Sequence, residues 1–116
     1  MAGVIINNDE YGSLNCPTCG GNNLHQGAVH VWQRYTEDAT TGTYTCADHK
    51  SSRVQTEADM EGSPSLRRDG MTIEFECESC FGQPTPHANP ADQKKNYLHI
   101  VQHKGTTYLS WNKPPI

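Results

Sequence analysis

Apolar residues are scarce in this chain. Hydrophobic residues make up 34% of its 116 positions and aromatic ones 8%, and the mean hydropathy is -0.77. A core drawn from so little is small, and small cores are usually reinforced by a metal, by disulfides or by a partner. No stretch approaches the length of a membrane-spanning helix. The opening triplet Val4-Ile5-Ile6 is too short for the apolar region of a secretory signal and lacks a basic start. The expected compartment is the cytoplasm, where thiols stay reduced. Cationic residues are also few. Nine Lys and Arg stand against thirteen Asp and Glu, for a net charge of -4, which excludes a chain-wide electrostatic grip on nucleic acid. Helical periodicity, internal repeats and coiled-coil heptads are missing as well.

Cysteine is what the chain does have. Five are present, and four form two C-x-x-C pairs: Cys16-Pro17-Thr18-Cys19 and Cys77-Glu78-Ser79-Cys80. A tight turn at this spacing aims two sulfurs at one point. Two such turns supply the tetrahedral thiolate set of a structural Zn²⁺. Pro17 stiffens the first turn, and Gly20 lets the chain bend away after it. Disulfide pairing is the competing reading, disfavoured in a reducing compartment. His25, six residues after Cys19, could stand in for one sulfur, but four cysteines already complete the shell. A closed four-thiolate site has no position for a reacting water, so it does not imply catalysis. The zinc deaminase pattern is missing, since no His is followed two residues later by Glu and Asn15 rather than Pro precedes Cys16.

The rest of the chain reads as one mostly β domain spanning 1–116, a zinc ribbon whose two knuckles bracket an inserted antiparallel sheet. Residues 1–12 read as an N-terminal arm. Leu24 to Thr36 reads as a strand, with Ala28, His30, Trp32 and Arg34 on one side and Val29, Val31, Gln33 and Tyr35 on the other. A turn over 36–42 returns into a strand at Thr43–Ala47, and Ser51 to Ala58 reads as a weaker third strand through Arg53-Val54-Gln55-Thr56. Residues 59–70 read as a loop pinned by Leu66. Met71–Cys77 alternates cleanly, with Met71, Ile73, Phe75 and Cys77 on the inward side. Residues 82–95, rich in proline, read as a flexible loop. Tyr97–Gln102 and Thr106–Trp111 flank His103-Lys104-Gly105 as a hairpin.

Outside the knuckles the chemistry is sparse. Cys46 reads as a small strand residue, with His49 too close in sequence to act as its base. The six histidines read as surface or core groups. Arg67-Arg68-Asp69-Gly70 reads first as a turn into the following strand, with the arginines pairing to nearby acids. Its second reading is a clamp for phosphate or carboxylate. From Phe81 onward four lysines (Lys94, Lys95, Lys104 and Lys113) face one acid, Asp92. With Trp32 or Trp111 for stacking, they define an alternative nucleic-acid-binding ribbon.

The order of motifs resembles a type of small zinc-ribbon protein encoded by bacteriophages, prophages and other mobile elements. The likeness rests on Cys16-Pro17-Thr18-Cys19-Gly20, Asn23-Leu24-His25, Glu37-Asp38 and Gly42. It continues through Ser63-Pro64-Ser65, Arg67-Arg68-Asp69-Gly70-Met71, Cys77-Glu78-Ser79-Cys80 and Gln102-His103-Lys104-Gly105-Thr106-Thr107. It runs from Cys16 to Trp111. The resemblance implies action in a host cytoplasm by a non-enzymatic protein that binds a host protein complex, in the manner of an anti-CRISPR inhibitor of host defence. Arg67, Arg68, Lys94, Lys95, Lys104, Trp32 and Trp111 are the expected partner-contacting residues.

Overall fold

The computed structural model describes Val4, residues 12–78 and residues 95–115. Six strands form one antiparallel sheet: β1 (Leu24–Arg34), β2 (Thr41–Ala47), β3 (Ser52–Asp59), β4 (Gly70–Cys77), β5 (Lys95–His103) and β6 (Thr106–Trp111). Their order is β3-β2-β1-β4-β5-β6. Two three-stranded meanders thus lie side by side, joined where β1 pairs with β4. Among the described residues there is no α-helix, and no helix is long and apolar enough to cross a membrane.

Local chemistry sets the ends of these strands. The β5–β6 turn is Lys104-Gly105, with φ of 50° and 80°. Two left-handed residues in a two-residue loop match the twist of the flanking strands, and glycine takes the second position without strain. β2 begins at Thr41, two residues before the expected start, because Gly42 lies tight against β1. A Cβ there would meet the Gln33 carbonyl oxygen at 2.1 Å, so only glycine lets β2 approach. β5 takes in Lys95, which the sequence reading gave to the preceding loop. The remainder of that loop, residues 82–94, lies outside the described residues, as does the N-terminal arm apart from Val4 and Gly12.

Cross-strand partners share a face, so the register sorts the side chains. One face carries two complete rows across all six strands. The first is Ser52, Ala47, Val29, Ile73, Leu98 and Trp111, and the second is Val54, Thr45, Val31, Met71, Ile100 and Leu109. A bulge at Gly27 and Ala28, opposite Glu74, keeps Gln26 and Val29 on this face on either side of the register shift. The other face carries His30, Trp32, Tyr44, Cys46, Thr72, Glu74 and His99. Met71, Ile73 and Phe75 do share a face with Cys77 as the alternation required. They are only half-buried, however, while Thr72 on the opposite face is buried.

The segment from Met60 to Asp69 crosses that second face, carrying the chain from edge strand β3 back to β4. Met60 is buried, and Gly62 lies over the Trp32 ring, where a Cβ would meet the nearest ring atom at 3.6 Å. Leu66, expected to pin this loop, is 79% exposed. Arg34 does the pinning instead. Its guanidinium donates to the carbonyls of Ala39, Ser65 (2.6 Å) and Arg68 (3.0 Å). One rigid five-donor fork can reach three backbone acceptors at once, which an apolar side chain cannot do.

Candidate metal centre

The first knuckle is a tight turn held by its own backbone. The Gly20 amide donates to the Cys16 carbonyl at 2.9 Å and the Cys16 amide to the Gly21 carbonyl at 2.7 Å. Gly20 sits at φ 78°, the left-handed conformation its missing side chain permits. Two amides point back at the sulfurs: Thr18 N–H at Cys16 Sγ and Gly21 N–H at Cys19 Sγ, each 3.4 Å. Such donors stabilise thiolate over thiol.

β4 delivers the next sulfur. Cys77 pairs with Leu24 at the start of β1, and the Glu78 amide donates to the Asn23 carbonyl at 2.9 Å. The sheet register therefore brings a residue 58 positions away to Cys19, with the two Sγ atoms 3.4 Å apart. That is too long for a disulfide, whose sulfurs lie about 2.05 Å apart. It is close to the edge of a tetrahedron with ~2.3 Å metal–sulfur bonds, roughly 3.8 Å. The Sγ atoms of Cys16, Cys19 and Cys77 all lie within 4.8 Å of one another. Cys16 and Cys77 are buried and Cys19 is exposed. Three converging soft donors with amide hydrogen bonds suit a thiophilic ion such as zinc. Cys80, the fourth expected ligand, lies outside the described residues.

Asn96, absent from the sequence expectations, joins the cluster from β5. It is 3% exposed. Its Nδ2 donates to Cys16 Sγ at 3.6 Å, while its Oδ1 accepts from Thr18 Oγ1 at 3.5 Å and Asn112 Nδ2 at 3.1 Å. One amide thus ties the knuckle to the C-terminal hairpin, 80 residues on in sequence. No spacing rule marks it; only the pairing of β4 with β5 sets Asn96 opposite Phe75 on the same face.

The other expected site residues are dispersed. His25 is exposed and pairs with Glu78 at 3.2 Å, apart from the three sulfurs. Arg67 pairs with Asp38 through both carboxylate oxygens, and its hydrogen bond holds that carboxyl below its usual range. Arg68 pairs with Glu37 at 2.6 Å. These arginines and Arg34 line a cavity of about 280 Å³, but its acids Glu37 and Asp69, with Asp38 beside them, balance the three positive charges. The acid-pairing turn, the first of the two readings, describes this geometry. Lys95 pairs with Glu74 at 3.3 Å. Lys104 sits in the β5–β6 turn, and Lys113 is exposed just past β6. Lys94 lies outside the described residues. Trp32 packs on Tyr44 with ring centroids 5.2 Å apart. Trp111 is 3% exposed and meets Phe75 edge-on, so its ring faces inward and has no surface for stacking a base.

A polar network spans the sheet on the face opposite Val29 and Ile73. His30 Nδ1 lies 2.6 Å from Tyr44 Oη and its Nε2 lies 2.7 Å from Glu74 Oε2. Burial opposes ionisation of Glu74, but hydrogen bonds from His30 and Lys95 prevail and hold its carboxyl below the usual range. Burial raises the Tyr44 hydroxyl, reinforced by its contact with the Cys46 thiol and opposed by Arg53. Thr72 Oγ1 and His99 Nδ1 pair at 2.8 Å, and burial lowers His99. The cross-strand neighbour of Cys46 is His30, not the His49 nearer in sequence. Thr72 is 6% exposed and His99 is half-buried. No protein-family profile, curated protein or solved structure matches the chain.

Proposed function

We propose that this protein is a non-enzymatic binding module whose sheet is stapled by a structural zinc ion on Cys16, Cys19, Cys77 and Cys80. The observation that carries the reading is the convergence of three cysteine sulfurs from two distant segments within 4.8 Å, two of them already accepting amide hydrogen bonds. Zinc bound there supplies folding free energy rather than chemistry, since a filled thiolate shell leaves no open position. The residues around it orient and shield: Asn96 holds Cys16, and the backbone amides of Thr18 and Gly21 hold the two sulfurs of the first turn.

The finer reading, a mobile-element protein that binds a bacterial host protein and blocks a defence complex, rests on the motif resemblance and on the acidic, compact chain. Its test is phage plating on a CRISPR-bearing strain that expresses the protein, compared with its Cys77→Ser variant. Restored plating by the wild type alone supports it; no change in plating removes it. The nucleic-acid alternative has lost two of its contacts, Trp111 to the interior and Lys95 to Glu74. Absence of any mobility shift at low salt would eliminate it.

A further inference from the structure

The two edges of the sheet differ. β3 is guarded: its ladder to β2 shifts between Gly42 and Tyr44, Glu57 stands at φ 53°, and Arg53, Glu57 and Asp59 carry charge along it. Bulges and charges of this kind keep other strands from pairing. β6 has none of them. Thr106–Trp111 contains no charge, proline or glycine and pairs with β5 without a shift. Past its end the Asn112 amide donates to the Tyr97 carbonyl at 2.7 Å. Counting back by two from Asn112, the residues Ser110, Tyr108 and Thr106 turn their backbone groups toward β5, while Thr107 and Leu109 turn theirs outward. Thr106 and His103 close the two-residue turn, as this alternation requires. Among the described residues nothing pairs with the outward amides and carbonyls. The side chains beside them are open too, with Tyr108 at 41% and Leu109 at 38% exposure.

Charge frames this edge. From Lys95 to Ile116 the sequence holds three lysines and no acid, although the whole chain is at -4. Lys95 is paired with Glu74. That leaves Lys104 before β6 and Lys113 after it, both exposed and neither with a carboxylate among the described residues.

We infer that β6 receives an extended segment of a partner protein as a further strand, one with β-branched or apolar residues at its centre and carboxylates at its two ends. The edge is then the contact surface of the binding module proposed above, and its role rests on that reading. Backbone groups facing outward at every second residue give such a contact its affinity, and Tyr108 and Leu109, on opposite faces, give it side-chain preference. A second copy of the chain is the poorer occupant. Two β6 strands paired antiparallel about a two-fold axis bring Lys104 of each copy to the end where Lys113 of the other stands, a like-charge contact. Nucleic acid would meet the lysines, but a phosphodiester backbone offers acceptors and leaves the outward carbonyls unmet.

Fluorescence anisotropy on the full, reduced, metal-replete chain tests this, with a labelled peptide of alternating valine and threonine that carries glutamates at both ends. The expected result is saturable binding that weakens as salt rises. The same peptide ended in lysines should bind at least about threefold more weakly. Lys104→Glu combined with Lys113→Glu should invert that preference. Leu109→Pro removes one outward donor and no bond to β5, so it should weaken binding about tenfold with far-UV circular dichroism and zinc content unchanged. No binding by the wild type, equal binding of the two peptides, or a preference that the lysine swap leaves unchanged overturns the inference. So does displacement of the peptide by a single-stranded oligonucleotide, or a wild-type chain that dimerises through this edge. Zinc content reports on the metal staple separately. Phage plating restored equally by the wild type and by Leu109→Pro would leave the binding module standing and remove the edge.

Discussion

Leu24 and Cys77 are direct cross-strand partners at one end of the β1–β4 pair. That single register connects sheet and metal centre. It sets Cys77 beside the turn that Cys16 and Cys19 have just left, so the sulfurs meet because the strands pair, and a bound ion would in turn hold the strands in register.

Asn96 is the point where the C-terminal hairpin touches this centre. Asn96→Leu keeps the volume but removes the donor to Cys16 Sγ and leaves Thr18 and Asn112 without their acceptor. Loss of an outer hydrogen bond of this kind costs about 10–100-fold in metal affinity. Chelator competition should show that loss, and the sulfur-to-metal charge-transfer band of the Co²⁺ form should move. Unchanged affinity and an unchanged band would assign Asn96 to packing alone.

Cys46 and Cys77 provide a contrast within one chain. Cys46 faces the His30 side of the sheet and Cys77 faces the knuckle. Cys46→Ser should retain full metal content and nearly wild-type melting, whereas Cys77→Ser should lose both together. Equal metal loss in the two variants would contradict the assignment of ligands.

Much of this was legible in the residues. The alternation of Met71 through Cys77, the two faces of the first strand and the C-terminal hairpin all follow from period-two patterning and turn chemistry. The cysteine spacing marked three sulfurs that the structure brings together. What the sequence could not show depends on register. Asn96 and the His30–Tyr44–Glu74 chain unite residues from separate strands, and only the order β2-β1-β4-β5 makes them neighbours. Leu66 suggests an anchor because it is apolar, yet the crossing loop is held by Arg34, whose targets are backbone carbonyls that leave no trace in composition.

Arg34 should therefore matter more than any residue of Arg67-Arg68. Arg34→Met would orphan the carbonyls of Ala39, Ser65 and Arg68 around a half-buried site. Each unsatisfied group costs about 1–3 kcal/mol, so a loss of roughly 3 kcal/mol or more is expected. Arg34→Lys should recover only part of it, since one ammonium cannot reach all three. Urea denaturation measures both. Arg67→Ala, which breaks an exposed pair, should leave the urea midpoint nearly unchanged.

His99 and Glu74 are two of the groups that shape the acid limb of stability, beside the exposed Asp38 and Asp48. Burial lowers the folded-state pKa of His99 below the ordinary histidine value of about 6.5, so the unfolded chain binds more protons in that window. Stability is then unaffected above 6.5 and falls as pH drops below it. Glu74 is held below the ordinary glutamate value of 4.5 despite burial, by His30 and Lys95. Its contribution is present above that value and is lost as pH falls beneath it. Urea midpoints measured in metal-buffered solution should show both limbs, with His99→Gln flattening the upper and Glu74→Gln the lower. An upper limb unchanged in His99→Gln would exclude His99 as its source.

The most direct test of the metal centre is elemental analysis of freshly purified, reduced protein, paired with thermal melting before and after a strong chelator. One zinc per chain, and a melt that collapses when the zinc is withdrawn and returns when it is restored, is the expected outcome. Protein that carries no zinc, or that melts identically with and without it, would contradict the account.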